Sequence, residues 1–326
     1  MTTTLPLRAG DAGEPVRDVQ RRLSRLGFDV SDAAGEYGAS TEHAVREFQE
    51  RRGLRVDGIC GRQTWGSLVE ASYRLGDRLL YLRSPMLRGD DVSELQEDLG
   101  ALGFDAGRID GIFGPRTVAA LEGLQRNAGL TVDGICGPDT VETLRRVVRP
   151  AGSSPPVSLV REAQQILDAP RQLEGRRVGV GETGGLAALA DAVGRALVEA
   201  GAVVAVLHHP DESVQASEAN AFAAEAFLSL ALRTESGCST AYYAARAFES
   251  IGGRRLADLV LDEVDAEVFP APSAATGMQL PILRETRMAA VVCELGPPAV
   301  VVEHSAELAR SMARAFTRWA QAPVHP

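Results

Sequence analysis

The hexapeptide Val56-Asp57-Gly58-Ile59-Cys60-Gly61 returns unchanged as Val132-Asp133-Gly134-Ile135-Cys136-Gly137, 76 residues further along the chain. The same offset holds on both sides of it without a gap, at apolar, glycine and polar positions alike. The matched positions include Val16 and Val92, Leu26-Gly27-Phe28 and Leu102-Gly103-Phe104, Gln49 and Gln125, and Leu68 and Leu144. A fixed period of this kind indicates that one structural unit was duplicated. We therefore expect residues 1–75 and 76–148 to form two copies of a small module.

Each copy has the pattern of three helices. The apolar residues of the first helix recur at helical spacing in both copies, as Val16, Val19, Leu23 and Leu26 and as Val92, Leu95, Leu99 and Leu102. Gly27 and Gly103 are predicted to end these helices. Thr41 and Thr117 are predicted to cap the second helices, and the third helices are predicted to end near Leu68 and Leu144.

Three segments of the second copy resemble the peptidoglycan-binding domain 1 family. They are the helix Val92-x-x-Leu95-Gln96, the loop Asp110-Gly111-Ile112-Phe113-Gly114 and the turn Asp133-Gly134-Ile135-x-Gly137. The resemblance implies affinity for muropeptide-like material. The candidate ligand-binding residues that follow from it are Asp57, Asp110, Phe113, Gly114, Thr117 and Asp133. The three aspartates have an alternative interpretation, because Asp before Gly commonly forms a turn through its own side chain.

Composition narrows the function classes. The chain has 326 residues and a formal net charge of −10, which argues against a nucleic-acid or anionic-membrane surface. Residues 1–8 lack the basic and apolar regions of a secretory signal, so the cytoplasm is the expected compartment. The most apolar window, residues 219–232, is shorter than a membrane-spanning helix and contains Glu225. We expect no cofactor.

The four cysteines fit a reducing compartment. Cys60 and Cys136 occupy equivalent places in the two modules beside an isoleucine, and we expect both to be buried and unpaired. Cys238 and Cys293 lack the close spacing of a zinc ribbon.

The rest of the chain has a different pattern. Residues 149–156 are rich in Pro, Gly and Ser, and we take residues 149–175 as a linker before a domain at 176–326. In that domain, short apolar runs at 178–180, 203–207, 227–230 and 290–293 alternate with helical segments. This alternation predicts an α/β domain with a mostly parallel sheet. The expected fold class is therefore multidomain, with two small all-α modules followed by an α/β domain.

Several stretches of this domain resemble zinc-dependent N-acetylmuramoyl-L-alanine amidases of the amidase 3 type. In that family the first strand ends in Asp-Pro-Gly-His-Gly-Gly, and here it ends in Val180-Gly181-Glu182-Thr183-Gly184-Gly185 without a histidine. The run 227–231 resembles the strand that carries a second ligand histidine, and Ala231 occupies that position. The run 280–296 resembles the segment with the catalytic glutamate, and Glu294 falls on it.

The resemblance therefore implies an amidase-like fold from which the zinc ligands have been lost. A hydrolytic zinc site needs three protein ligands and a water whose pKa the metal lowers, so we expect no metal and no catalytic residue. A substitute site formed by Glu182, His208 and Glu294 is an alternative. Glu294 itself could pair with an arginine or belong to a remnant ligand pocket.

The architecture as a whole is similar to that of the actinobacterial CwlM-type amidase homologues. Two segments also carry this resemblance: residues 70–76, which connect the two modules, and the Leu-Arg-x-Thr-Arg-Met run at 283–288. It implies a regulator of cell-wall precursor synthesis that contacts the UDP-N-acetylglucosamine enolpyruvyl transferase under the control of a Ser/Thr kinase. A muropeptide or a lipid-linked precursor is a further possible ligand.

Thr286, between two arginines, is either a phosphorylation site or a solvated threonine at a strand edge. The alternative functions are a working amidase and a plain muropeptide-binding protein.

Overall fold

The computed structural model describes residues 5–148, 157–264, 268–269 and 274–321. The chain divides into two compact units. The first comprises Met1–Val160 with Ala245–Phe248, and the second comprises Arg161–Ala244 with Glu249–Pro326. Both copies of the repeated module lie in the first unit.

Each module consists of three helices around its own apolar core, as predicted. In the first these are α1 (Glu14–Arg25), α2 (Ala39–Arg51) and α3 (Arg62–Glu70), and in the second α4 (Asp90–Ala101), α5 (Pro115–Ala128) and α6 (Pro138–Val147). An isolated β-bridge ties the segment before the first helix to the repeated turn, at Leu7 and Cys60 in one module and at Leu80 and Cys136 in the other. Both cysteines are buried and unpaired, and burial raises the pKa of each to about 12.

The helix ends agree with the sequence in one respect and differ in another. Gly27 and Gly103 follow the first helices with positive φ, as expected for glycines that end helices. The prediction that Thr41 and Thr117 are N-caps is wrong, because the N-cap residues are Gly38 and Gly114. The two threonines lie in the first turn, and their hydroxyl oxygens accept hydrogen bonds from buried glutamines instead.

The rest of the described chain, most of it in the second unit, is an α/β domain. Its elements in chain order are α7 (Val157–Asp168), β1 (Arg177–Glu182), α8 (Ala187–Glu199), β2 (Val203–His208), α9 (Glu212–Ala221), β3 (Ala226–Leu232), β4 (Gly237–Ala245), β5 (Phe248–Glu249), α10 (Ile251–Glu263), β6 (Thr276–Met278), α11 (Pro281–Glu285), β7 (Ala289–Gly296), α12 (Pro298–Glu303) and α13 (Ser305–Gln321).

The predicted linker, residues 149–175, contains a helix. Residues 149–156 lie outside the described residues, and α7 follows them. Glu162 of α7 accepts hydrogen bonds from Ser250 Oγ at 2.6 Å and from the backbone N–H of Gly252 at 3.2 Å. The helix therefore caps the start of α10.

The sheet is mostly parallel, as predicted. Its strand order is β2-β1-β3-β7-β4-β5, with β6 paired to β4. β1 pairs in parallel with β2 and β3, and β3 with β7, whereas β4 runs antiparallel to β7. Because the carboxyl ends of parallel strands meet at one edge, the ends of β1, β2, β3 and β7 share an edge.

Helices cover both faces of this sheet. On one face α8, α10 and α13 enclose the largest apolar core with alternate residues of the strands, such as Val180, Leu228 and Val291. On the other face Gln215 of α9 lies against the backbone of Gly181.

Thr286, predicted as solvated or as a phosphorylation site, is only 1% exposed, and its hydroxyl donates to the carbonyl of Ile282 at 2.7 Å. Within the described residues, none of the helices combines the length and the apolar character that crossing a membrane requires.

Candidate functional site

The carboxyl edge of the parallel strands brings together the positions that the sequence singled out. β1 ends at Glu182 and β2 ends at His208, and these two residues are register partners. On β3, Ala231 is the register partner of Glu294 on β7. Glu182 and Glu294 therefore lie at the same edge but two strands apart.

Glu182 is a buried carboxylate held by the backbone. Its Oε2 accepts hydrogen bonds from the N–H groups of Gly184 at 2.8 Å and Leu186 at 3.2 Å. Its side chain is 8% exposed, and Oε1 lies 3.3 Å from His208 Nδ1. Oε2 is thus held by N–H groups just before α8, where anionic groups are stabilised, and Oε1 faces the histidine at the end of β2.

His208 bridges two carboxylates. Its Nδ1 faces Glu182, and its Nε2 lies 3.3 Å from Asp191 Oδ1 on α8. The two ring nitrogens therefore face different partners, an arrangement that orients the ring. His209, by contrast, contacts the backbone of Asp211, so the two histidines have separate surroundings, as expected for adjacent residues at a strand end.

The residues at this edge do not fit a hydrolytic zinc ion. Ala231 is 4% exposed and its methyl group offers no donor atom. Glu182 does meet His208, but the predicted alternative required Glu294 as well. In the described ranges, no group of three or more His, Cys, Asp or Glu side chains is arranged to hold a metal ion.

A pair of cysteines lies within the sheet close to this edge. Cys238 on β4 and Cys293 on β7 are both fully buried, and their Sγ atoms are 3.8 Å apart. The contact with Cys238, together with burial, raises the pKa of Cys293 well above its ordinary value. Both residues therefore act as small apolar core residues.

The three aspartates proposed as ligand contacts in the modules form turns. The side chain of each accepts a hydrogen bond from the backbone N–H two residues later, at 2.8 Å for Asp57 and 2.9 Å for Asp110 and Asp133. The N–H of Ile135 and the amide of Gln125 hold the pKa of Asp133 below its ordinary value. Asp57 and Asp133 remain exposed to solvent.

The other proposed ligand contacts lie mostly in the interior. Phe113 is fully buried and Thr117 is 1% exposed, so a ligand would not reach either side chain in this conformation. Gly114 is the N-cap of α5. The exposed part of the candidate set is therefore the turn aspartates, and their ligand binding stays a prediction.

The glutamines that hold these turns were not among the residues predicted from the sequence. Gln96 Nε2 donates to Asp110 Oδ1 at 2.9 Å, to Ile112 O at 3.1 Å and to Thr117 Oγ1 at 3.3 Å. Its Oε1 accepts from the N–H groups of Asp110 and Gly111 at 3.0 and 2.8 Å. The sequence feature that could have indicated this role is a glutamine, Gln96, directly after the core residue Leu95 in the first helix of the second module.

The same arrangement occurs at equivalent positions of both modules. Gln49 and Gln125 make the corresponding contacts to their own turns, including the N–H groups of Gly58 and Gly134. Gln20 holds the loop at Gly35 in the same way, at 2.7 Å. Four buried glutamines therefore fix the four loops of the two modules.

The comparisons with known proteins agree with this architecture. The model of the peptidoglycan binding domain family matches residues 12–68 and 88–144. The N-acetylmuramoyl-L-alanine amidase CwlM of Mycobacterium tuberculosis is 33% identical over 89% of this chain and 81% of its own length. The N-acetylmuramoyl-L-alanine amidase CwlL of Bacillus licheniformis is 34% identical over 38% of this chain and 41% of its own length.

Among solved structures, the N-acetylmuramyl-L-alanine amidase Ami1 of Mycobacterium smegmatis covers 46% of this chain and 98% of its own, at 14% identity and a TM-score of 0.40. The match to CwlM covers 89% of this chain, so it includes parts of both modules and of the α/β domain. The chain belongs to the CwlM family of N-acetylmuramoyl-L-alanine amidase homologues.

Proposed function

We propose that this protein is a non-catalytic, cytoplasmic regulator of peptidoglycan precursor synthesis. The observation that carries the proposal is the chemistry at the carboxyl edge of the sheet. Ala231 stands where the resemblance expects a zinc-ligand histidine, and both oxygens of Glu182 already have hydrogen-bonding partners. Amide hydrolysis at neutral pH requires an activated water. Without a metal to lower the pKa of that water, Glu294 alone would deprotonate it poorly.

The regulatory part of the proposal rests on the two modules and on the resemblance to CwlM-type proteins. We propose that the protein acts by contact with the UDP-N-acetylglucosamine enolpyruvyl transferase, which commits a sugar nucleotide to wall synthesis. A muropeptide or a lipid-linked precursor would bind the exposed turns at Asp57 and Asp133. Control by a Ser/Thr kinase is part of the same proposal, and the buried Thr286 is a poor substrate for it.

The alternative is that the chain is an amidase, as the name of its relative CwlM states for that protein. Glu294, at the position of the catalytic glutamate, favours this alternative. The two functions differ in whether the protein retains stoichiometric zinc and whether it releases peptides from muropeptides.

The test uses the full chain and its Glu294→Gln variant. Metal content is measured after purification with added zinc, muropeptide cleavage is followed by chromatography, and transferase activity is measured with and without each protein. We expect sub-stoichiometric zinc, no cleavage and an equal effect of both proteins on transferase rate. Stoichiometric zinc with cleavage that the Glu294→Gln variant abolishes would establish the amidase. An unchanged transferase rate in the presence of the protein would show that the transferase is not its partner.

A further inference from the structure

One edge of the sheet has free hydrogen-bonding groups. β2 is the terminal strand, and its neighbour is β1. The N–H of Val203 donates to Arg176 O at 2.9 Å, and successive residues of a parallel strand alternate in direction. The backbone groups of Val204, Val206 and His208 therefore face away from β1, and no strand of the described ranges pairs with them.

Among the residues that the structure describes, this edge lacks the features that usually prevent pairing with another chain. Natural edge strands are protected by lysine, proline, inward-pointing charges or a covering segment. β2 reads Val-Val-Ala-Val-Leu-His and contains none of these residues. Every one of its residues is at least partly exposed, with Val203 at 49%. An extended segment can therefore reach the whole strand.

A groove runs beside this edge on the side of α8. Its volume is about 400 Å³, and Gly194, Val198, Val204 and Val206 form its apolar part. Val198 is 56% exposed although it lies among these apolar neighbours. A strand added to β2 would place every second side chain in this groove, because side chains alternate between the two faces of a sheet.

The charged residues of the groove have the spacing of an extended chain. Asp191, Arg195 and Glu199 line it at intervals of four residues on α8. Four residues of helix advance about 6 Å, and two residues of a strand advance about 6.6 Å. Alternate side chains of an added strand would therefore meet a negative, a positive and a negative group in turn. Asp191 also contacts His208, through one of its two carboxylate oxygens.

We propose that the β2 edge binds an extended segment of a partner protein by strand addition. The segment presents basic, acidic and basic side chains at alternate positions to α8, and its backbone pairs with Val204 and Val206. A second copy of this chain fits poorly, since its own β2 would present Val204, Val206 and His208 to the groove. The order of charges along the groove, negative, positive and negative, is the same from either end. The segment could therefore pair with β2 in the parallel or the antiparallel direction.

The first experiment measures hydrogen exchange by NMR on the full chain with the synthetic peptide acetyl-TKVEVKT-amide. We expect saturable binding that slows exchange of the amide hydrogens of Val204 and Val206 at least tenfold. A peptide of the same sequence with N-methylated alternate residues, which cannot pair its backbone, should give no protection. Equal protection by both peptides, or none by either at millimolar concentration, would overturn the proposal.

The second experiment reverses a charge in the groove. Arg195→Glu should weaken binding of the peptide about two- to fivefold, the range for a partly exposed ion pair, and should favour acetyl-TKVKVKT-amide instead. Arg310→Glu, an exposed site on α13, is the matched control and should change neither affinity.

Equal effects of the two variants would contradict the charge assignment. A concentration-dependent dimer that protects Val204 and Val206 without peptide would assign the edge to a second copy and overturn the proposal. Neither result depends on the muropeptide or transferase measurements, because this edge and the exposed turns of the modules are separate sets of residues.

Discussion

The buried glutamines are the residues on which the loops of the modules depend. Gln96 satisfies two backbone N–H groups and the Asp110 carboxylate while its own side chain is 2% exposed. Backbone donors in a buried turn are costly to leave unpaired. A loop whose backbone is held by one side chain can present its exposed residues in a fixed geometry.

We predict that Gln96→Ala lowers the free energy of unfolding of the first unit by about 2–4 kcal/mol, because it leaves the N–H groups of Asp110 and Gly111 unpaired and creates a cavity. Urea unfolding, followed by hydrogen exchange of peptides from the modules, measures the change. Gln164→Ala, at an exposed position of α7, is the control and should stay within about 0.5 kcal/mol of the parent. A loss below about 1 kcal/mol at Gln96 would show that water replaces the side chain.

Asp98 on α4 makes stability depend on pH. Burial, with Glu94 and Glu97 nearby, raises its pKa from 3.8 to about 6. The folded state therefore holds a proton that the unfolded state releases, so stability falls as pH rises from about 4 to about 6. The charged form of a partly exposed group of this kind costs about 1 kcal/mol after allowance for screening.

Asp98→Asn should accordingly raise the melting temperature at pH 7.5 and leave it nearly unchanged at pH 4. Thermal unfolding of the variant and the parent at the two pH values measures this difference. Asp29→Asn, on the exposed surface of the first module, controls for the loss of one negative charge. An equal gain at both pH values would rule out titration of Asp98 as the cause.

At the residue scale, the sequence predicted the features that depend only on neighbouring residues of the chain. The Asp-Gly turns were predictable because Asp accepts from the backbone two residues later. The threonines were wrongly predicted as caps because Thr is a good N-cap, while Gly38 and Gly114 already occupy that place. The role of Gln96 depends on a loop that lies 14 residues away along the chain, and spacing within one helix does not show it.

At the scale of elements, the central strands were predictable and the antiparallel strand was not. β1, β3 and β7 are short apolar runs flanked by helices, which is typical of buried parallel strands. β4 reads Gly-Cys-Ser-Thr-Ala-Tyr-Tyr-Ala-Ala, and neither a continuous apolar run nor strict alternation marks it. Its place is set by pairing with β7, a contact that tertiary structure determines.

The approach of α9 to β1 gives a prediction at this scale. A Cβ at Gly181 would lie 2.0 Å from Gln215 Oε1 and 2.7 Å from Phe227 Cζ. Gly181→Ala should therefore lower the free energy of unfolding of the second unit by about 1–3 kcal/mol, the usual cost of overpacking. Gly100→Ala, in the last turn of α4, is the matched control, because its Cβ would meet no atom within 4 Å and alanine is favoured over glycine in a helix by at most about 0.5–1 kcal/mol. Thermal unfolding of both variants should show shifts of opposite sign.

At the scale of the whole molecule, the duplication predicts each module but not the contact between them. Arg52 at the end of α2 forms a two-pronged ion pair with Asp90 at the start of α4, at 2.6 and 3.1 Å. The positions 76 residues away hold Ala128 and Glu14, so the pair has no counterpart in the repeat. The contact is specific to the junction, and the sequence period gives no indication of it.

The ion pair should couple the stabilities of the two modules. A double-mutant cycle of Arg52→Ala and Asp90→Ala is expected to give a coupling energy of about 1 kcal/mol, since two-pronged arginine–carboxylate pairs exceed single surface contacts. The cycle removes the separate effect of Asp90 on the start of α4, because that effect is present in both arms. The pair Arg46 and Glu42, 2.8 Å apart within α2, is the matched control and should give about 0.3–0.5 kcal/mol. A coupling at the junction no larger than in the control would mean that this ion pair does not couple the modules.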